Sequence, residues 1–294
     1  MSTPRISVVV ATRDRPDMLR GCVESLLASD HESFEVIVAD QSVVPTELAA
    51  DPRLVHLQLA STGKSSALNA GIAQASAPII AFTDDDCTVP SRWLRKGEAV
   101  FERHPGVSLL FGDLKPMEHD PDVLFVPATM LGRFQIFRGW PAITRRGGAG
   151  ANCFARRALF DVVSGWDEMI GPGSRFPGCE EFDLHYRTAT ANLSIAYAPA
   201  VEVVHWGARA YADNSAEALL DSYAYGEGGV IAKHLCLGDV RIVWHLLKAF
   251  AGDALYSLSA RDRRGARMSG SRLRGLVDAM TLRVDRKTRV FRRS

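Results

Sequence analysis

The sequence predicts an α/β protein in which helices flank a doubly wound, mostly parallel sheet and a helical extension follows at the C-terminal end. Three observations carry that prediction. Short β-branched runs alternate with helical segments through the first half, the pattern of strand–helix–strand units. Three of these runs end in a polar cluster, where ligands bind in such sheets. The 294 residues, 47% hydrophobic and 23% charged, suffice for a large core and exclude collagen-like, low-complexity and wholly disordered chains.

Ile6–Ala11 is a short buried-type strand that ends in Thr12-Arg-Asp-Arg-Pro16, and Pro16 suits the first turn of a helix reaching about Ala28. A second strand, Phe34–Ala39, ends in Asp40-Gln-Ser42. A third, Leu54–Leu59, precedes Thr62-Gly-Lys-Ser-Ser66 and a helix through Ala67, Leu68 and Ala70. A fourth, Pro78–Phe82, ends in Thr83-Asp-Asp-Asp86.

Arg13, Asp14, Asp40 and Asp84–Asp86 thus share one predicted sheet edge, which makes that edge a candidate site. No GxGxxG follows the first strand, and Gly63-Lys64-Ser65 lacks the upstream glycine of GxxxxGK[ST], so neither a dinucleotide fingerprint nor a P-loop is present. Three adjacent carboxylates repel one another unless a cation or water relieves them. Alternate residues after a strand point to one side, so Asp84 and Asp86 can converge on one ion, and hard oxygen ligands suit Mg²⁺ or Mn²⁺.

These residues, with Val38-Ala-Asp40, Asn69-Ala-Gly71 and Phe82-Thr-Asp-Asp-Asp86, belong to a longer ordered set. Gly148-Ala-Gly-Ala-Asn152-Cys-Phe-Ala-Arg156, Gly165-Trp-Asp-Glu168, Cys179-Glu-Glu-Phe-Asp-Leu184-His-Tyr-Arg187, Tyr197-Ala-Pro199 and Val201–His205 follow it. Over about residues 5 to 207 the chain resembles family 2 glycosyltransferases of the GT-A fold, whose Rossmann-like sheet binds a nucleotide sugar. The resemblance implies a donor-binding half (1–112), an acceptor-binding and catalytic half (113–212) and a helical C-terminal extension with a basic tail (213–294).

It also implies roles. Asp40 would contact the base or ribose, with Thr12, Arg13 and Arg15 nearby, and Lys64 and Asn69 would line the nucleotide pocket. Asp84, Asp85 and Asp86 carry the DxD motif, in which Asp84 and Asp86 would serve the metal and diphosphate and His205 would be a further ligand. Asn152 would touch donor or acceptor hydroxyls. Glu181 stands where the family has its general-base aspartate, with Glu180 just before it, so either glutamate could take the proton. The implied reaction is an inverting transfer from a UDP- or dTDP-sugar to a hydroxyl acceptor: a divalent ion stabilises the departing diphosphate and one carboxylate deprotonates the incoming hydroxyl.

Other readings remain open at this level. Asp84-Asp-Asp86-Cys-Thr88 also fits the DxDxT of haloacid-dehalogenase-like phosphatases, although no later GDxxxD exists. A non-catalytic nucleotide-sugar-binding scaffold of the same fold is another. Trp140, Trp166 and Trp206 serve equally well as core residues or sugar platforms, Arg145–Gly150 could face a phosphate, and Tyr223–Gly229 with Lys233-His234 could approach the acceptor.

The net charge of +1 conceals an asymmetry: residues 239–294 hold fourteen Lys and Arg against five Asp, a net of +9. With the apolar run Val243–Phe250, that segment suits either a helix packed on the core or peripheral contact with an anionic membrane through 240–294. No nucleic-acid module is recognisable. Five well-separated cysteines without a CxxC pair argue against a disulfide framework. With no signal-like or spanning stretch, the expectation is a cytoplasmic protein, peripheral at the inner membrane face if the tail binds lipid.

Overall fold

Buried β-branched and aliphatic residues build the first strands of the computed structural model, which describes residues 3–260 and 262–292. Arg261 and Arg293 of the basic tail lie outside the described residues. In chain order the elements are β1 (Ile6–Thr12), α1 (Pro16–Leu27), β2 (Phe34–Asp40), β3 (Leu54–Gln58), α2 (Lys64–Gln74), β4 (Ile79–Asp84), the two-residue β5 (Cys87–Thr88), α3 (Trp93–Arg103) and β6 (Val107–Pro116). The chain continues through β7 (Leu124–Phe125), β8 (Gln135–Phe137), α4 (Trp140–Ile143), β9 (Cys153–Arg156), α5 (Leu159–Val163), α6 (Glu180–Thr190), β10 (Ser194–His205) and β11 (Arg209–Ala210). Three helices follow: α7 (Ser215–Cys236), α8 (Val243–Ala260) and α9 (Arg264–Met280). The four strands expected from the sequence form within two residues of their expected ends.

The main sheet runs β3-β2-β1-β4-β9-β6-β10-β5, and β8 also pairs with β10. The β3-β2-β1-β4 block is parallel, as expected, and so is β6 with β10. The rest is mixed: β9 inserts antiparallel between β4 and β6, and β5 pairs antiparallel with β10. An antiparallel neighbour needs no crossover helix, so the short β9 can slot in after the irregular stretch that precedes it. The regions expected as donor and acceptor halves therefore share one sheet.

Strand alternation separates two cores. Val8, Val10, Val36 and Val38 face α1 and α3, meeting Leu19, Leu26, Trp93 and Phe101. Val9, Ile37 and Phe82 face the other way, towards Leu68 of α2, Phe182 of α6 and Val230 of α7.

The C-terminal helices close on the second core at backbone contact distance. A Cβ on Gly228 of α7 would fall 2.0 Å from the carbonyl of Arg272 in α9, and one on Gly275 would fall 2.0 Å from the carbonyl of Tyr225. Much of the basic surplus is spent here, in Arg264–Glu217 at 3.2 Å, Arg267–Asp221 at 3.0 Å, Arg272 with Glu227 and Asp253, and Arg289–Asp239 at 3.0 Å. Lys233 and His234 are completely buried: Lys233 Nζ meets Asp167 at 2.8 Å and Asp183 at 2.5 Å, and His234 meets Asp183 at 3.1 Å. They brace α6 rather than approach an acceptor, because a buried ammonium needs carboxylate partners and finds them here.

Gly228→Ala should lower the melting temperature, because the added methyl meets fixed backbone; overpacking of this kind costs about 1–3 kcal/mol, more than the ~1 kcal/mol of helix propensity that alanine adds. Gly270→Ala, with nothing within 4 Å, should be neutral or stabilising in the same melt.

Candidate active site

The carboxyl edge of β1 and β4 opens into a cavity of about 380 Å³. Thr12, Arg13 and Arg15 wall it after β1, Lys64 at the start of α2, Asp84–Asp86 after β4, and His205 at the end of β10. Eight residues expected at the site (Thr12, Arg13, Arg15, Lys64, Asp84, Asp85, Asp86 and His205) are thus brought together.

Pairing register explains the convergence. In the parallel β1/β4 ladder Ala11 lies opposite Asp84, and in the antiparallel β5/β10 ladder His205 lies opposite Cys87. The strand ends are held by cations. Arg15 Nη1 reaches Asp85 Oδ1 at 3.1 Å and Asp86 Oδ2 at 3.0 Å, and the Thr12 hydroxyl donates to Asp85 Oδ2 at 2.7 Å. Lys64 Nζ lies 2.6 Å from Asp84 and 3.1 Å from Glu180 on α6. Burial works against the Lys64 charge, yet Asp84 and Glu180 raise its pKa well above the ordinary lysine value. Gly63, at φ +100°, caps the start of α2, and a Cβ there would meet the Gly173 carbonyl at 3.5 Å.

The three aspartates differ. Burial raises Asp85 to about 6, and its like-charged neighbours outweigh part of the help from Arg15. Asp86 is also buried, but its bond to His205 and the charges of His205 and Arg15 bring it down to about 2. His205 is raised in turn: burial opposes its charge, and Asp86 favours it more strongly.

His205 Nε2 faces Asp86 Oδ1 at 3.3 Å, and Nδ1 bonds the Pro127 carbonyl at 2.9 Å. If Nδ1 donates to that carbonyl, two acceptors face each other, and a proton or a metal ion must sit between them. Asp86, Cys87 and His205 bring their ligand atoms within 4.8 Å of one another. Burial and the nearby aspartates push the Cys87 thiol up, so it stays protonated, and the oxygen and imidazole donors left fit a hard divalent ion. Gly207 keeps the place open, since a Cβ there would lie 2.5 Å from Asp86 Oδ2 and 2.6 Å from His205 Nε2.

Five expected residues lie outside the cavity wall. Asp40 is fully buried and accepts from Ser42 N at 2.8 Å, Thr46 N at 3.2 Å and His56 Nε2 at 2.9 Å. Burial alone would raise its pKa, but these bonds hold it below the ordinary carboxylate range. Gln41 takes the lining position instead. Asn69 bonds the Trp166 backbone and Glu168 in a separate hollow. Asn152, also fully buried, takes the Trp93 indole N–H at 2.9 Å and donates to the carbonyls of Asp113 and Val201, tying helix to strands. Its place in the structure is that of a strut.

Glu180 and Glu181 open α6 beside Gly150. Glu180 is tied to Lys64, whereas burial and the charge of Glu180 raise Glu181 to about 8. The Arg145–Gly150 loop does not reach the cavity: Arg145 stacks on Phe137 and Arg146 pairs with Glu227 at 3.0 Å. Trp166 is a core residue, Trp206 gives its N–H to Thr88, and Trp140 is exposed.

Sequence reasoning missed the far wall: Pro127, Pro172, Gly173, Pro177, Gly178, Arg209, Leu219 and Ser222. It had named only Tyr223. The glycine and proline density of Gly171-Pro-Gly-Ser-Arg-Phe-Pro-Gly178 was the available signal for a shaped loop.

The family described as glycosyl transferase family 2 matches residues 7–161. The chain is 29% identical over 233 residues to the O-antigen biosynthesis protein RfbC of Myxococcus xanthus, which covers 69% of this chain and 17% of that protein. The chain thus spans less than a fifth of that relative. Mannosyltransferase PcManGT from Pyrobaculum calidifontis, solved with GDP-Man and Mn²⁺, superposes with a TM-score of 0.58 at 15% identity over 95% of this chain and 88% of that one. S. aureus TarS 1–349 in complex with UDP gives a TM-score of 0.53 at 17% identity over 79% and 70%. At these identities the two structures carry the fold.

The raised pKa of Glu181 has a consequence for stability. Between the ordinary glutamate value of about 4.3 and about 8, the folded chain keeps a proton that the unfolded chain gives up. Stability attributable to this group therefore falls as pH rises through that window. Glu181→Gln, which cannot ionise, should flatten the decline in urea melts across the same range; an unchanged slope would contradict this origin.

Proposed function

Because the chain belongs to glycosyl transferase family 2, we propose that it is a metal-dependent, inverting glycosyltransferase that moves a sugar from a UDP- or dTDP-linked donor to a hydroxyl acceptor in the assembly of a glycan, glycolipid or glycosylated metabolite. The observation that carries this reading is the single cavity in which Asp84–Asp86, His205, Arg15 and Lys64 meet. Relatives solved with UDP, and with GDP-Man and Mn²⁺, support a nucleotide-sugar donor. A phosphatase reading of Asp84–Thr88 has no such support.

Asp86 and His205, with Asp84 or Asp85, would hold Mg²⁺ or Mn²⁺, which supplies Lewis-acid stabilisation of the leaving diphosphate. Arg15 and Lys64 add fixed positive charge beside the position where negative charge grows. Gln41, with Thr12 and Arg13, borders the part of the cavity nearest Asp40 and would take the base and ribose.

On the acceptor side the carboxylate form of Glu181 takes the proton from the incoming hydroxyl as its oxygen bonds the anomeric carbon. The bond from that carbon to the diphosphate oxygen breaks on the opposite face, so the anomeric centre inverts. Glu180 is the poorer base because its carboxylate is already committed to Lys64. Tyr223 connects the two sides: it lines the cavity, and burial together with the charges of Glu181 and Glu180 raises its pKa.

Thermal melts with UDP, dTDP, GDP or CMP, each with and without Mn²⁺, test the donor site. A ligand at about 100 times its Kd should stabilise by roughly 2.7 kcal/mol, and Asp86→Ala should lose the metal-dependent part. Glu181→Gln should keep that shift yet lower kcat by about 10²–10⁴, and wild-type kcat should rise with pH through about 8. Activity that survives both substitutions would overturn the mechanism.

A further inference from the structure

Helix α8 turns two polar residues towards the protein beside Leu246, which packs on the core: His245 is buried with Nε2 bonded to the Ile143 carbonyl at 2.6 Å, and Asp253 is buried, taking the Ser269 hydroxyl at 2.7 Å and pairing with Arg272. On the opposite side four large apolar residues face out. Trp244 is 46% exposed, Leu247 60%, Leu255 68% and Leu258 77%, and their spacing places them on one stripe of the helix. On neighbouring α9, Leu273, Val277 and Met280 are likewise exposed at successive turns. Scattered exposed leucines need no explanation, but a continuous apolar stripe on a helix that buries His245 and Asp253 on its other side does.

Charge identifies what covers it. Asp253 is the single acidic residue of α8, and it points inward, so the outward face carries no carboxylate. The Lys248 ammonium lies 5.9 Å from the Trp244 ring centre, the pairing of an aromatic ring with a long cationic stem that suits a headgroup region. Arg274, Arg283, Arg286 and Lys287 of the following segment remain exposed. A second copy of the chain would set the same exposed cations against one another, whereas an anionic surface attracts both the stripe and its cations.

We propose that the outward face of α8 rests in the headgroup region of an anionic bilayer, with the Trp244–Leu258 stripe in the interface and the basic residues on its lipid phosphates. Among the described residues no helix is long and apolar enough to cross a membrane, so the contact is peripheral. It is independent of the donor chemistry proposed above.

The test is co-sedimentation of the full chain with phosphatidylcholine vesicles, with and without phosphatidylglycerol, comparing wild type with the double variant Leu247→Glu/Leu255→Glu. Wild type should sediment with the phosphatidylglycerol vesicles alone, and should be released at about 1 M salt, where the screening length shrinks to about 3 Å. The double variant should stay in solution while keeping its melting temperature and nucleotide-induced shift, which separates this proposal from the fate of the catalytic one. Three results would overturn it: no sedimentation with either vesicle, equal sedimentation of the variant, or a dimer in solution that the variant dissolves, which would make the stripe a self-interface. Tryptophan fluorescence gives a second reading, since the vesicle-induced blue shift should disappear in Trp244→Phe.

Discussion

A single ammonium group holds the site together. Lys64 sits between Asp84 at the end of β4 and Glu180 at the start of α6, while its own backbone N–H donates to the carbonyl of Pro172. Sheet edge, α2, α6 and the loop that walls the cavity therefore meet at one residue. Without it, partly buried carboxylates from distant parts of the chain would face one another uncompensated, at a cost of several kcal/mol. Arg15 does the same for Asp85 and Asp86, but the supply of cations falls short of the demand. Burial first, and then the charges of Asp86 and Asp84 against Arg15, raise Asp85 to about 6. An edge that gathers more carboxylate than its own cations neutralise has affinity left for positive charge from outside, the electrostatic condition for recruiting a divalent ion with a diphosphate.

Strand pairing determines which groups share that edge. β10 runs parallel to β6, shifts register between Ala198 and Glu202, and then pairs antiparallel with the two residues of β5. That last ladder turns His205 towards Asp86, although 118 positions separate the neighbouring pair Thr88 and Trp206, which share a hydrogen bond. The glycine that follows, Gly207, supplies the missing side chain the approach requires. A longer β5 or a bulkier residue at 207 would close the gap that makes His205 a ligand candidate.

The parallel strands were legible because β-branched runs and their polar ends are local signals. Asp84–Asp86 were legible because they lie at such an end, whereas Thr12, Arg15, Lys64 and His205 were legible through the motifs around them that resemble the family's. What could not be read was position across the sheet. Asp40 and Asn152 have the right chemistry and the right neighbours in sequence, yet hydrogen bonds to Ser42, Thr46 and His56 occupy the first, and Trp93, Asp113 and Val201 occupy the second. A polar side chain serves a ligand only where the fold leaves its lone pairs or protons uncommitted, and long-range pairing decides that. Lys233 and His234 show the same thing inside a helix, where the charges read as exposed chemistry are spent in a buried brace.

The first of the C-terminal helices, α7, is part of the site rather than an attachment to it. The family match ends at residue 161, but the wall opposite the aspartates comes from residues 172–178 and from Leu219, Ser222 and Tyr223 of α7. The same helix continues through Gly226, whose bare backbone allows approach to the carbonyls of Pro177 and Gly178, and Gly229, which accommodates the ring of Phe176. It ends on Lys233 and His234, which fix Asp167 and Asp183 and thereby α6 with its two glutamates. One helix thus shapes the far wall, seats the loop beside it and braces the helix that carries Glu180 and Glu181.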